Sequence, residues 1–175
     1  MRVFLDFEAS SLSKKSFPVE VAWVFEDGRS RSHLLRPTPD WTDWSTRAEG
    51  IHGLTRRRLE TEGAPVEAIG REMVETLSGH QLYASAPSWD GKWLSTLLRA
   101  AGLPRHALRL GKSDDAFAET AREILGDTTD IAALVARIIA ETEPTIPAHR
   151  ALPDARLELE RWQRVRTEAL SLASG

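Results

Sequence analysis

Two carboxylates lie two residues apart at the end of an apolar run near the start of the chain. Asp6 and Glu8 close the segment RVFLDFE, whose other members favour a β-strand. Residues two apart on a strand project to the same face, so the two side chains stand next to each other. Like charges held that close repel, and a divalent cation between them keeps both ionised. The pattern predicts half of a metal site, although a strand that simply ends in polar residues explains it equally well.

Three further residues could complete such a site. Asp90 follows a predicted strand and lies in the first turn of a predicted helix, where the helix dipole favours an anion even without a metal. His149 precedes Asp154 by five residues, close to the last helix. A histidine can accept a proton from water near neutral pH, but His149 taken alone is more simply a surface or capping residue.

The elements that must position these residues follow from periodicity and turn signals. Strands are predicted from residue 2 and at 18–25 and 30–36, with a tight hairpin at Asp27-Gly28. A polar loop, 37–48, contains Trp41 and Trp44. Further strands are predicted at 81–86 and 107–110, and helices at 56–62 (capped by Thr55), 66–77, 89–98, 113–125, 129–141 and from after 156 to about 170. This order predicts an α/β protein with a mixed sheet, its first three strands antiparallel, flanked by helices.

Composition narrows the class of protein. The 175 residues include no cysteine, which excludes disulfides and thiolate metal sites. The net charge of −3 argues against a protein that coats long nucleic acid, although basic residues cluster at 14–15 and 56–58. No leader and no run long enough to span a bilayer is evident, so we expect a cytoplasmic protein without a membrane partner.

Taken in order, these signals resemble a known family. The sequence is similar to the DEDDh 3′-5′ exonucleases in four features. They are Asp-x-Glu on a first strand, the run Ile51-His52-Gly53-Leu54-Thr55, an Asp that opens a helix, and a His five residues before an Asp. That family includes RNase T, oligoribonuclease and the proofreading subunit of the bacterial replicative polymerase. The resemblance covers nearly the whole chain and implies an RNase H-like fold, with residues 1–175 forming a single exonuclease domain.

The resemblance also implies roles for individual residues. Asp6, Glu8, Asp90 and Asp154 correspond to the metal ligands, for two Mg²⁺ ions or Mn²⁺, and His149 to the general base. Leu12 corresponds to the residue that packs on a base, and the Ile51-His52-Gly53 run to a loop that contacts the terminal nucleotide. Two segments depart from the family pattern and put the nucleotide contacts in doubt: Ala9-Ser10-Ser11 replaces the common Thr-Thr-Gly, and Ser85 to Trp89 lacks the usual Asn.

Tryptophans are further candidates for substrate contacts. Trp89 could stack on a base, since aromatic stacking tolerates any sequence, or could equally belong to the core. Trp41 and Trp44, in a polar loop, are the better stacking candidates.

The implied activity is metal-dependent 3′-5′ hydrolysis of single-stranded RNA or DNA ends by a two-metal mechanism, releasing nucleoside 5′-monophosphates. RNA is slightly preferred, and a homodimer is implied by resemblance alone. The main alternative is a non-catalytic module that binds nucleic acid or a protein on the same fold. A metal phosphatase or an endonuclease could use the same carboxylates.

Overall fold

A five-stranded mixed sheet forms the centre of the molecule. The computed structural model describes residues 1–128 and 130–175. Its strands are β1 Arg2–Ala9, β2 Pro18–Phe25, β3 Ser30–Leu34, β4 Gln81–Ala84 and β5 Leu110–Lys112. They lie in the order β3-β2-β1-β4-β5. The strands β1, β2 and β3 pair antiparallel, whereas β4 pairs parallel to β1 and β5 pairs parallel to β4. The predicted α/β class and the antiparallel first three strands are confirmed.

Seven α-helices in the described part of the chain flank this sheet. They are α1 Thr46–His52, α2 Arg56–Glu62, α3 Val66–Leu77, α4 Pro87–Ala100, α5 Ser113–Leu125, α6 Ile131–Thr142 and α7 Ala151–Ala173. The predicted bounds of α2, α3 and α5 are confirmed. Thr55 caps α2 as expected, because its side chain accepts a hydrogen bond from the Arg58 amide at 3.2 Å.

Several predicted elements need correction, and part of one more cannot be compared. β3 and β4 each end two residues earlier than predicted, at Leu34 and Ala84, and α4 extends beyond the predicted 89–98 at both ends. The fifth strand lies at Leu110–Lys112 instead of 107–110, and the last helix begins at Ala151, so that Asp154 lies inside its first turn. The segment taken for a loop around Ile51 and His52 forms α1, which is capped by Ser45 and closed by Gly53 at φ 70°. Residue 129, the predicted start of α6, lies outside the described residues.

Helices cover both faces of the sheet, and the side chains of β1 alternate between the two faces. Val3, Leu5 and Phe7 pack beneath residues of α3 and α4, whereas Phe4 packs among residues of α5, α6 and α7. Asp6 and Glu8 continue the row of Phe4 because side chains alternate along a strand. The two carboxylates therefore project toward the side of the sheet that α7 covers. None of the described helices is both long and apolar enough to cross a membrane.

Candidate metal and substrate site

Three carboxylates meet where β1 ends against the start of α7. One ligand oxygen each of Asp6, Glu8 and Asp154 lies within 4.8 Å of the others. The first two side chains come from β1, and Asp154 comes from the first turn of α7. Asp154 also accepts a hydrogen bond from the Arg150 amide at 3.2 Å, which fixes its carboxylate at the helix start. Such a group of hard oxygen ligands suits Mg²⁺ or Mn²⁺.

Asp90 lies near this group but is not part of it. It occupies the first turn of α4, is 3% exposed, and accepts a hydrogen bond from the Ala86 amide at 3.3 Å. Its carboxylate is close enough to raise the pKa of Asp6. Asp90 therefore lies at the start of a helix, as the sequence predicted, and adds negative charge beside the site.

The electrostatics of the cluster show an excess of negative charge. Burial raises the pKa of Asp6 well above its ordinary value, and Asp90, Glu8 and Asp154 raise it further. Burial, assisted by Asp154 and Glu20, raises the pKa of Glu8 to about 8. Burial also raises the pKa of Asp90 to about 7 and that of Asp154 above its usual range. A divalent cation would supply the missing positive charge, so the donor set fits a metal ion.

A cavity of about 190 Å³ opens from this cluster along α7 and is lined by Asp6, Asp154, Glu158 and Arg161 among others. Glu158 is 5% exposed and pairs with Arg161, its Oε1 lying 2.8 Å from the guanidinium Nη1. Neither residue was predicted from the sequence. The signal was available, because Glu158 lies four residues after Asp154 and so shares its helix face.

His149 lies on an exposed segment just before α7, with an unusual backbone φ of 48°. The next residue, Arg150, donates two hydrogen bonds to Glu20 of β2 at 2.9 and 2.7 Å. Glu20 also accepts from the Ala151 amide at 3.0 Å and is 2% exposed. This ion pair between a buried glutamate and a half-exposed arginine links the His149 segment to the sheet. The pair was not predicted from the sequence, although a glutamate inside the apolar strand 18–25 was an available signal; the structure places this glutamate directly opposite Glu8.

A second cavity, of about 230 Å³, brings the predicted substrate residues next to the carboxylates. Its lining includes Glu8, Leu12, Ile51, His52 and His149. Leu12 and Ile51 are exposed, whereas His52 is buried. The Nδ1 atom of His52 accepts a hydrogen bond from the Leu54 amide at 3.0 Å, and burial lowers the pKa of the ring. His52 is thus held as a neutral imidazole at one wall of the cavity.

The tryptophans differ from expectation. Trp89 is 37% exposed, so the core alternative for it is wrong; its ring stacks on Trp93 with 5.6 Å between centroids. Trp89 also lines a surface cavity of about 490 Å³ together with Leu12. Trp41 and Trp44 are half-buried against Phe17, at 5.0 and 6.3 Å, and are therefore part of the packing of their loop instead of free stacking platforms.

Comparison with known proteins gave matches among solved structures only. No protein-family model matches the sequence, and no curated protein matches it either. The zinc-bound complex of E. coli exonuclease I with single-stranded DNA has 16% identity and a TM-score of 0.70, with 95% of this chain and 40% of that chain covered. Exonuclease I from Methylocaldum szegediense has 18% identity and a TM-score of 0.69, with 97% and 41% covered.

A third similar structure is E. coli exonuclease I in complex with a dT13 oligonucleotide, at 14% identity and a TM-score of 0.68. This chain spans about two fifths of the length of these exonuclease I chains. At such identities the similarity establishes the fold, which is the RNase H-like α/β fold of exonuclease I.

Proposed function

We propose that this protein is a metal-dependent 3′-5′ exonuclease that hydrolyses phosphodiester bonds at single-stranded nucleic acid ends and releases nucleoside 5′-monophosphates. The observation that carries the proposal is the convergence of Asp6, Glu8 and Asp154 within 4.8 Å, at one end of a sheet that has the exonuclease I fold. Three partly buried carboxylates held this close repel one another, and a divalent cation would offset that repulsion.

The carboxylates Asp6, Glu8, Asp90 and Asp154 would hold the metal, and four carboxylates suit the two ions of the predicted mechanism. When bound, the divalent ions stabilise negative charge on the phosphate oxygens and lower the pKa of water. His149, exposed beside Glu8 in the cavity, would accept the proton of the attacking water. The Glu20–Arg150 pair holds that segment against the sheet, which keeps the imidazole near the cluster.

Leu12, Ile51 and His52 would contact the terminal nucleotide in the cavity next to Glu8, and Trp89 would stack on a base nearby. The exonuclease I complexes contain single-stranded DNA, which favours DNA over the slight sequence preference for RNA. In this proposal residues 1–175 act as one exonuclease domain, and the homodimer stays a prediction that size-exclusion chromatography with light scattering can test.

The test is a time course on matched 5′-labelled single-stranded DNA and RNA oligomers with Mg²⁺, Mn²⁺ or EDTA. We expect a ladder that shortens from the 3′ end, is abolished by EDTA, and identifies the preferred sugar by its rate. The variant Asp154→Asn should lower the rate by more than about 100-fold, because losing a metal ligand costs at least as much as losing a residue that orients one.

The matched control is Glu160→Gln, an exposed glutamate on the same helix. It removes the same charge from α7 and should leave the rate unchanged. The non-catalytic alternative predicts instead that folded protein binds the labelled oligomers without shortening them in any metal. Equal rates for the Asp154→Asn and Glu160→Gln variants would show that the carboxylate cluster is not the catalytic centre.

A further inference from the structure

Asp43, a residue without an assigned role, organises the turn that follows β1. Its carboxylate accepts hydrogen bonds from three serine hydroxyls of that turn. The Oδ1 atom accepts from Ser13 Oγ at 2.9 Å, and the Oδ2 atom accepts from Ser11 Oγ at 2.5 Å and from Ser10 Oγ at 3.3 Å. These bonds outweigh partial burial, so that the pKa of Asp43 lies below its ordinary value.

Each of the three hydroxyls also accepts a backbone amide hydrogen. The amide of Ser13 donates to Ser11 Oγ at 2.9 Å, that of Lys15 to Ser13 Oγ at 3.0 Å, and that of Phe17 to Ser10 Oγ at 3.1 Å. Every serine therefore passes a hydrogen bond from the backbone to the same carboxylate. A hydroxyl that donates to a charged acceptor is a better acceptor itself, so the two hydrogen bonds within each relay strengthen each other.

The loop that carries Asp43 is itself anchored. Trp41 stacks on Phe17 and Trp44 packs against the same ring, and the Ser45 amide donates to the Ser10 carbonyl at 3.0 Å. This anchoring explains why two tryptophans lie in a polar loop. They fix the position of Asp43 beneath the turn.

A helix holds the turn from its other side. Lys92 of α4 donates from Nζ to the Ser13 carbonyl at 2.6 Å and to Ser16 Oγ at 2.7 Å, and Trp93 Nε1 donates to the same hydroxyl at 3.0 Å. The turn is therefore fixed between α4 and the loop of Asp43. Phe17 at the end of the turn is buried, but Leu12 is 73% exposed and lines two cavities.

We propose that Asp43 is a positioning residue for substrate: through the serines it fixes the turn 10–17 so that Leu12 is presented in one place to the base of the terminal nucleotide. The inference rests on the proposed function. A connection between two antiparallel strands does not need three serine relays and the two hydrogen bonds from Lys92. An exposed leucine that must contact a base binds it more tightly if its position is already fixed before binding. Ser10 and Ser11, from the segment that replaces the family's Thr-Thr-Gly, supply two of the three hydroxyls, and Ser13 supplies the third.

The test compares Asp43→Ala with Asp40→Ala, an exposed aspartate in the same loop. The first readout is independent of activity: amide hydrogen exchange at Ser13, Lys15 and Phe17 should become at least about tenfold faster in Asp43→Ala, as expected from loss of charged hydrogen bonds. Asp40→Ala should leave these amides unchanged. If Asp43→Ala lowers global stability, Asp43→Asn replaces it, since it keeps the volume and breaks at least one relay.

The second readout is a double-mutant cycle with Leu12→Ala on single-stranded oligomers. Asp43→Ala should raise KM about tenfold with little change in kcat, and should change KM less than about twofold when Leu12 is already alanine. Unchanged amide exchange would overturn the inference, and so would an Asp43 effect on KM that persists fully without Leu12.

The design separates failure of this inference from failure of the proposed function. If the wild-type protein binds oligomers without cutting them, the nuclease proposal is wrong, and the same cycle is measured as dissociation constants by fluorescence polarisation. If it neither binds nor cuts, both are overturned, because Leu12 then has no base to contact. If it cuts and the cycle is additive, only the role of Asp43 is overturned.

Discussion

Replacing Glu8 by glutamine should make the metal-free protein more stable at alkaline pH while weakening its response to metal. Glu8 has an ordinary pKa of 4.5 that burial, assisted by Asp154 and Glu20, raises to about 8 in the folded protein. Between these two values the folded state binds more protons than the unfolded state. The contribution of Glu8 to stability is therefore fully present below pH 4.5 and is lost as the pH rises toward 8.

The magnitude follows from the size of this shift. Since one pKa unit corresponds to about 1.4 kcal/mol, the change from 4.5 to about 8 sets an upper bound of about 5 kcal/mol. Glu8 is partly exposed, and its titration is coupled to that of the neighbouring carboxyls. The destabilisation that Glu8 causes at pH 8 is therefore smaller than this upper bound. We expect Glu8→Gln to gain about 1–2 kcal/mol in free energy of unfolding at pH 8 and nothing at pH 4.5.

The assay is urea unfolding in EDTA at pH 4.5, 6 and 8, repeated with excess Mg²⁺. The metal binds only the folded state, so it should raise the free energy of unfolding of the wild-type protein at pH 8 more than that of Glu8→Gln. Glu160→Gln, exposed on α7, controls for the loss of one negative charge. Wild-type stability that stays constant or rises between pH 4.5 and 8 in EDTA would refute the electrostatic account of the cluster.

Two further perturbations test the parts that support the site. Glu20→Gln breaks the bidentate pair with Arg150 and should lower kcat by about tenfold, because the segment of His149 becomes less firmly held. An unchanged kcat in single-turnover assays would contradict this role. The control variant is Arg156→Gln, on the exposed face of α7. Phe117→Ala should cost about 3–5 kcal/mol, because the ring is fully buried 6.1 Å from Phe4. Urea unfolding measures this cost. A loss of less than about 1 kcal/mol in free energy of unfolding would mean that neighbouring side chains move in and fill the cavity left by the ring.

Local signals in the sequence were enough to predict several elements. The Asp27-Gly28 turn and the Thr55 cap each act within a few residues, and both lie where they were predicted. The alternation of β1 likewise placed Asp6 and Glu8 on one face. Such features depend on dihedral preferences and on hydrogen bonds between close neighbours, which the sequence states directly.

Elements defined by distant partners were less predictable. β5 lies at Leu110–Lys112 because those residues pair with β4, and Gly111 allows the close approach: a Cβ there would lie 3.1 Å from the Tyr83 ring. No local pattern marks a three-residue strand whose neighbours are nearly thirty positions away.

The candidate carboxylates could be picked out from the sequence alone, because carboxylates at strand and helix ends stand out where apolar residues are expected. The way these residues meet depends on the tertiary structure, which brings Asp154 to β1, adds Glu158 and the Glu20–Arg150 pair, and packs Trp41 and Trp44 partly against Phe17. The physical reason is that these contacts join residues far apart in the chain, whose free energy depends on burial and charge in the folded state.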